Sequence, residues 1–321
     1  DDVGAGYKVG DPLVFASSES NVSLPAGFIS VVDGSIILDG TDSDSSDAND
    51  FLIYEDATTE HLETFEFEVE VPNYKAIYEN ENIVTTWIGH ETFLYQNKDI
   101  NVLTDPHFTQ RASPLNFAGP KRYMAPGMKI DDLPNIDIVT ISHSHYDHLD
   151  YMSVKLLAEK FDNILFLVPL GLKKWFESKG IYNVRELDWW DSLIIQETLI
   201  TFAPVQHWSA RGLFDRNETL WGAWHFKNKF HSFIHLGDTG YTDDFKAIKE
   251  KLGPVDLAAI PIGAYEPRWI MEFSHINPEE AVMTFLDLEA SKAIGINLVL
   301  RESFSSSLPY RGTTSAGILR L

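Results

Sequence analysis

The stretch Ile141-Ser142-His143-Ser144-His145-Tyr146-Asp147-His148-Leu149-Asp150 decides how the chain is read. Three imidazoles and a carboxylate fall within six residues, directly behind the apolar run Ile136 to Ile141, which reads as a buried strand. A sharp bend at a strand end aims His143 and His145 to one side and Asp147 and His148 to another. Two divalent cations roughly 3 to 4 Å apart, bridged by a water, fit such a bend. Imidazole and carboxylate donors suit zinc first and also serve Mn2+ or Fe2+, since the chain has no cysteine to add a thiolate.

Further donors stand behind other apolar runs. His207, in Ala203-Pro204-Val205-Gln206-His207-Trp208, follows the expected strand Thr198 to Phe202. Asp238, in Gly237-Asp238-Thr239-Gly240, follows the expected strand Phe233 to Leu236. Around them strands and helices interleave: strands at Ile83 to Trp87, Thr92 to Tyr95, Ile100 to Leu103, Ile164 to Val168, Asn183 to Leu187, Trp221 to Phe226 and Leu257 to Ile260, and helices at Met152 to Phe161, Leu172 to Lys179 and Asp243 to Leu252. Asn277-Pro278-Glu279-Glu280 announces a further helix, with a capping asparagine, proline at the first position and acids at the positive end. The pattern predicts a layered α/β domain with its site in the loops at strand ends.

The chain has 321 residues, 44% of them hydrophobic, enough for a sizeable core. No apolar run approaches the roughly 20 residues that span a bilayer, so a soluble or peripheral membrane protein is expected, its compartment left open. The chain starts with Asp1-Asp2, which points to a removed leader or a fragment. Residues 1–82 carry 19 acidic and 2 basic residues of a chain whose net charge is −23. This marks a boundary near Val71-Pro72-Asn73: an acidic β-rich segment over 1–72, with strands at Phe28 to Leu38, Phe51 to Tyr54 and Thr64 to Val71, then a catalytic domain over 73–296. The acidic turn from Asp39 to Asp50 reads as solvated; it lacks the glycine and the final glutamate of the helix-loop-helix calcium loop. Such a charge repels phosphate backbones and excludes nucleic acid as a partner. A homo-oligomer stays open.

His143-x-His145-x-Asp147-His148, the lone His207 and Gly237-Asp238-Thr239-Gly240 together resemble the metallo-β-lactamase superfamily, which implies an αββα sandwich with two metals at one edge. Longer blocks narrow the resemblance: Trp87-Ile-Gly-His90, Leu103-Thr-Asp-Pro106, Arg111-Ala-Ser-Pro114, Gly119-Pro-Lys-Arg122, Glu186-Leu-Asp-Trp-Trp190, Leu220-Trp-Gly-Ala-Trp224 and Tyr265-Glu-Pro-Arg-Trp269 are similar to the N-acylphosphatidylethanolamine-hydrolysing phospholipase D branch. That resemblance covers about residues 82 to 296. It implies one Zn2+ on His143, His145 and His207, a second on Asp147 and His148, and Asp238 bridging. It also implies catalytic roles for Asp147 and His275, with Tyr146 and His275 along the phosphate of a phospholipid substrate. A peripheral membrane surface then becomes a partner. Trp189, Trp190, Trp208, Trp224 and Trp269 either line an acyl groove or interface or belong to the core.

The resemblance breaks at its end. Asn297-Leu-Val-Leu300 stands where the family has a His-Trp-Gly-Thr turn whose histidine completes the second metal's shell, and 297–321 is an atypical tail. A neutral amide is a poor substitute for imidazole, so the second metal is expected to be weakly held or absent. The expected activity is metal-dependent hydrolysis of N-acylphosphatidylethanolamine to phosphatidic acid and an N-acylethanolamine. The alternatives are a lactonase or esterase of the same fold, or a catalytically impaired relative acting as a binding protein.

Overall fold

The computed structural model describes residues 83–115, 117–122 and 125–297, together with the backbones of four strands before them and one after. The first strands are β1 (Val14–Ala16), β2 (Ile29–Val32), β3 (Ser35–Leu38), β4 (Leu52–Tyr54), β5 (Val84–Gly89), β6 (Thr92–Gln96), β7 (Asn101–Thr104) and β8 (Ile138–Thr140). There follow helix α1 (Tyr151–Lys160), β9 (Leu165–Pro169), α2 (Lys173–Ser178), β10 (Val184–Leu187), β11 (Ser192–Ile195), β12 (Thr198–Ala203), β13 (Ala223–Lys227) and β14 (Ser232–His235). The chain continues through α3 (Asp244–Leu252), β15 (Leu257–Pro261), α4 (Arg268–Met271), α5 (Pro278–Asp287), β16 (Lys292–Ile296) and β17 (Ile318–Arg320).

Two sheets of seven strands result, ordered β1-β16-β15-β14-β13-β12-β11 and β10-β9-β8-β7-β6-β5-β17. Each buries both faces, which is why its central strands read as unbroken apolar runs. Alternate residues divide between two cores. Val102, Ile138, Leu167, Phe233, Leu257 and Ala259 point between the sheets and meet Tyr95, Phe202, Trp224 and Phe226. Their chain neighbours Leu103, Val139 and Phe166 point outward beneath Val154 and Leu157 of α1 and Phe176 of α2. On the other sheet Ile234, Ala258 and Ile260 lie beneath Phe245 and Ile248 of α3 and Ala281 and Phe285 of α5. This is the αββα sandwich expected from the sequence.

The expected single strand from Phe28 to Leu38 is a hairpin, β2 against β3, with β4 on the far side of β3. The expected strand Thr64 to Val71 and the acidic turn Asp39 to Asp50 lie outside the described residues. The run Ile136 to Ile141 is buried as expected, but only Ile138–Thr140 joins the ladder.

Strand direction fixes where the site forms. β7, β8 and β9 run parallel, as do β14, β15 and β16, and β12 points the same way because two antiparallel steps separate it from β14. The ends of β7, β8, β12, β14 and β16 and the turn from β5 to β6 therefore share one edge of the sandwich. On that edge stand Asp105, the histidine motif, His207, Asp238, Asn297 and His90.

Candidate metal centre

The loop after β8 is held from all sides. Asp105 accepts from Ser142 N at 2.6 Å and Ser142 Oγ at 2.5 Å, and its Oδ2 lies 2.8 Å from His148 Nδ1. Trp224 Nε1 donates to Ile141 O at 2.8 Å from the opposite sheet, and Gly222 N donates to Ser142 O at 3.0 Å. Arg211 Nη1 donates to Ser144 O at 2.7 Å and Leu149 O at 2.8 Å, and Asp150 then caps α1 through Ser153 N. With its carbonyls claimed, the loop has little freedom to reorient its imidazoles.

Those imidazoles converge. His143 Nε2 lies 2.7 Å from His145 Nδ1, which lies 3.3 Å from His207 Nε2. Asp238 Oδ2 stands 3.9 Å from His143 Nε2, 3.8 Å from His207 Nε2, 3.2 Å from His148 Nε2 and 3.9 Å from His275 Nδ1. Ligands on one ion at bonds of about 2.0–2.1 Å are separated by about 3.3 Å in a tetrahedron. The set His143, His145, His207 and Asp238 could hold a cation on that criterion, and so could the set His90, Asp147 and His148. Asp147 Oδ2 lies 3.2 Å from His90 Nε2 and 3.8 Å from His148 Nε2.

Electrostatics favour ligation. Burial holds His143 and His207 well below the usual imidazole range and takes His145 down to about 4, so all three keep a lone pair at neutral pH. Burial alone would lower His148 too, but Asp238, Asp147 and the hydrogen bond to Asp105 together push it well above. Burial opposes ionisation of Asp147 and Asp238 as well, and His148 together with their other imidazole neighbours outweighs it, keeping both carboxylates charged. His148 Nε2 is buried without a hydrogen bond of proper geometry, although a carboxylate oxygen is 3.2 Å away. Three imidazoles kept neutral beside two ionised carboxylates fit a bound cation.

A second tier sets these donors. His207 Nδ1 lies 2.9 Å from Ser274 O, which leaves Nε2 for the cluster. Gly237 takes φ +60, and a Cβ there would stand 2.7 Å from Ser142 Cβ. The Asp238 turn is thereby pressed against the histidine loop. Asn297 Nδ2 donates to Asp238 Oδ1, leaving Oδ2 to face the imidazoles. Arg268 joins His275 O at 2.7 Å to Glu280 at the start of α5. Behind the cluster, Glu91 and His235 form a buried pair at 3.2 Å.

The expected donors His143, His145, Asp147, His148, His207 and Asp238 thus meet, and His275 meets them at the rim. Tyr146 is turned aside: its hydroxyl donates to Arg211 O at 2.9 Å, and its ring lies 4.1 Å from the Arg211 guanidinium. Both residues line an adjoining cavity of about 680 Å3, together with Arg111, Tyr151, Trp175 and Lys179. Among the tryptophans, Trp224 is core, Trp189 and Trp190 are half-buried beside it, and Trp208 lies 4.3 Å from the His145 ring. Trp269, at 82% exposure, belongs to no core. Sequence reasoning missed His90, Asp105 and Arg211. His90 and Asp105 sit at positive φ, 56° and 37°, in tight turns whose direction no local spacing gives away.

Comparison with known proteins agrees with this geometry. The beta-lactamase superfamily domain matches residues 100–296. An N-acyl-phosphatidylethanolamine-hydrolyzing phospholipase D 1 from Caenorhabditis elegans is 46% identical over 68% of this chain and 65% of its own length. A mitochondrial N-acyl-phosphatidylethanolamine-hydrolyzing phospholipase D from Saccharomyces cerevisiae is 36% identical over 72% of this chain and 51% of its own. The chain thus spans between half and two thirds of these relatives. A metallo hydrolase from the archaeon Ignicoccus hospitalis superposes with a TM-score of 0.51 over 65% of this chain and 79% of its own, at 18% identity, a likeness of fold. Imidazole donors on one sandwich edge, the family match over residues 100–296 and the shared fold lead to one statement: the chain belongs to the beta-lactamase superfamily and has the metallo-β-lactamase fold.

Proposed function

We propose that the protein is a metal-dependent phosphodiesterase that hydrolyses N-acylphosphatidylethanolamine to phosphatidic acid and an N-acylethanolamine. The observation that carries the metal-dependent part is the ring of four imidazoles around Asp238 Oδ2, each within 3.9 Å. The lipid part is carried to this chain from the two phospholipase D relatives. Bound at the cluster, two Zn2+ would lower the pKa of water and neutralise phosphate oxygens. His143, His145 and His207 would hold one ion and Asp147 and His148 the other, with Asp238 between them.

In the hydrolysis a water oxygen bonds to phosphorus, the bond from phosphorus to the ethanolamine oxygen breaks, and that oxygen takes a proton. Asp147, ionised and with 29% of its side chain exposed, is placed to accept a hydrogen bond from the attacking water. His275, at the rim with Nδ1 unpaired, is placed to donate to the phosphate or leaving oxygen. The cavity beside Tyr146 offers aromatic walls and three cationic groups to an anionic lipid. Exposed Leu213 and Phe214 on one side, and Trp269, Ile270 and Phe273 near His275 on the other, suit a peripheral membrane surface.

The test compares kcat/KM for an N-acylphosphatidylethanolamine and for a lactone with the zinc-loaded full chain. Preference for the phospholipid is expected; preference for the lactone would reverse the assignment in favour of carbonyl chemistry at the same site.

A further inference from the structure

We propose that His90 supplies the third ligand of the second cation, beside Asp147 and His148. The inference rests on the reading of the cluster as a metal centre. His90 stands in the two-residue connection from β5 to β6, 53 positions before the histidine motif, and is 2% exposed. Its backbone is left-handed at φ 56°, behind Gly89 at φ 138°. Such a conformation is disfavoured for a histidine and persists only where the surroundings impose it. Here Trp87 Nε1 donates to His90 O at 2.9 Å, and Gly127 N donates to Ile88 O at 2.7 Å. The result of the turn is an imidazole aimed at the cluster edge.

The donor atoms agree with one ion. His90 Nε2 to Asp147 Oδ2 is 3.2 Å, Asp147 Oδ2 to His148 Nε2 is 3.8 Å, and His148 Nε2 to Asp238 Oδ2 is 3.2 Å. These straddle the edge of about 3.3 Å that a tetrahedron of 2.0–2.1 Å bonds requires. The His90 and His148 rings meet edge to face with centroids 5.6 Å apart, so neither blocks the other's lone pair. His148 Nε2 is fully buried and faces Asp238 Oδ2 at 3.2 Å without a hydrogen bond of proper geometry.

Asn297 takes a different part. Its amide nitrogen donates to Asp238 Oδ1, so its side chain is spent on the carboxylate. It acts as a positioning residue that turns Asp238 Oδ2 toward the imidazoles. The loss of a histidine at 297 is thereby offset by an imidazole from the opposite sheet.

The test titrates the metal-stripped full chain with Co2+, reading ligand-field absorbance and bound metal by equilibrium dialysis. The wild type is expected to take two equivalents. His90→Ala and His90→Asn, the latter suited to left-handed backbone, should keep the first equivalent unchanged. They should weaken the second by more than the roughly 10–100-fold that loss of an outer partner costs. Adding Asn297→His to His90→Asn should restore the second equivalent, a rescue that a purely structural role for His90 does not predict. The proposal is overturned by a wild type that takes one equivalent, by variants that bind both like the wild type, by both equivalents weakening together, or by failure of the rescue. A wild type that binds two equivalents and leaves phospholipid intact would instead overturn the lipid reading and leave His90 a ligand.

Discussion

At Gly237 a single methyl group decides where Asp238 stands. Alanine at φ +60 costs about 1–2 kcal/mol in backbone strain, and its Cβ would press on Ser142 at 2.7 Å, adding roughly 1–3 kcal/mol. Gly237→Ala is therefore expected to lower the melting temperature and the metal content together; a variant with wild-type zinc would show that the turn tolerates movement. Asp238→Ala removes the oxygen shared by four imidazoles while leaving the cores intact. Activity should fall by more than the roughly 10–100-fold typical of an outer-shell loss, and a rate within that range would remove Asp238 from the site. His225 in β13 is unconnected with the chemistry but sets an acid limit. Burial takes it down to about 4, against 6.5 in the unfolded chain, so the unfolded state binds the extra proton between these values. Stability from this residue is complete above pH 6.5 and is lost as pH falls toward 4, by about 3 kcal/mol in all. Urea midpoints measured across that window should fall more steeply with acid for the wild type than for His225→Phe; parallel curves would refute the assignment. The candidate donors that were legible in the sequence are those whose spacing or strand-end position is local. His90 was not, because an isolated imidazole in a turn announces nothing until β6 and β7 bring the loop after β8, with Asp147, beside it in the same sheet.

Among the elements, the most visible in advance were those with paired signals. Helix α5 starts where Asn277-Pro278-Glu279-Glu280 predicted, and both halves of the capping box form, Glu280 N to Asn277 Oδ1 at 2.8 Å and Asn277 N to Glu280 Oε2 at 2.9 Å. Because Glu280 also anchors Arg268, which holds His275 O, the cap carries the rim of the site. Asn277→Ala should cost about 1 kcal/mol, read as a shift in the urea midpoint with metal binding kept. Glu280→Ala should in addition lower turnover through His275, and unchanged turnover would detach the helix start from the site. Strand β11 was missed for a reason of turn chemistry. Its hairpin to β12 passes through Gln196 and Glu197 at φ 43° and 65°, positions where Asn-Gly would have signalled the turn. Strand β13 begins at Ala223 rather than Trp221 because Gly222 N donates to Ser142 O and Trp221 O accepts from Trp189 Nε1.

At the scale of the whole molecule, the sandwich brings together residues from 90 to 297 by pointing its strand ends to one edge. The interleaving of strands and helices predicted the layers; which strands pair, and hence that β5–β6 faces the histidine loop, depends on contacts between distant segments that no local pattern encodes. Trp224 joins the two halves where it matters, donating from one sheet to Ile141 O at the head of the motif on the other. Trp224→Phe should leave that buried carbonyl unpaired at a cost of about 1–3 kcal/mol and loosen metal binding; a loss of stability without any change in affinity would limit its role to the core. Chelation should lower the melting temperature of the wild type, since ions bound to the native edge alone stabilise it. Among the described residues no helix is long and apolar enough to cross a membrane. The central claim is hydrolysis at phosphorus by the cluster on this edge. Its most direct test is turnover of N-acylphosphatidylethanolamine by the zinc-loaded full chain in 18O-water, with products read by mass spectrometry. The account predicts one 18O in phosphatidic acid and none in the N-acylethanolamine; label in a released fatty acid, or an intact lipid, would contradict it.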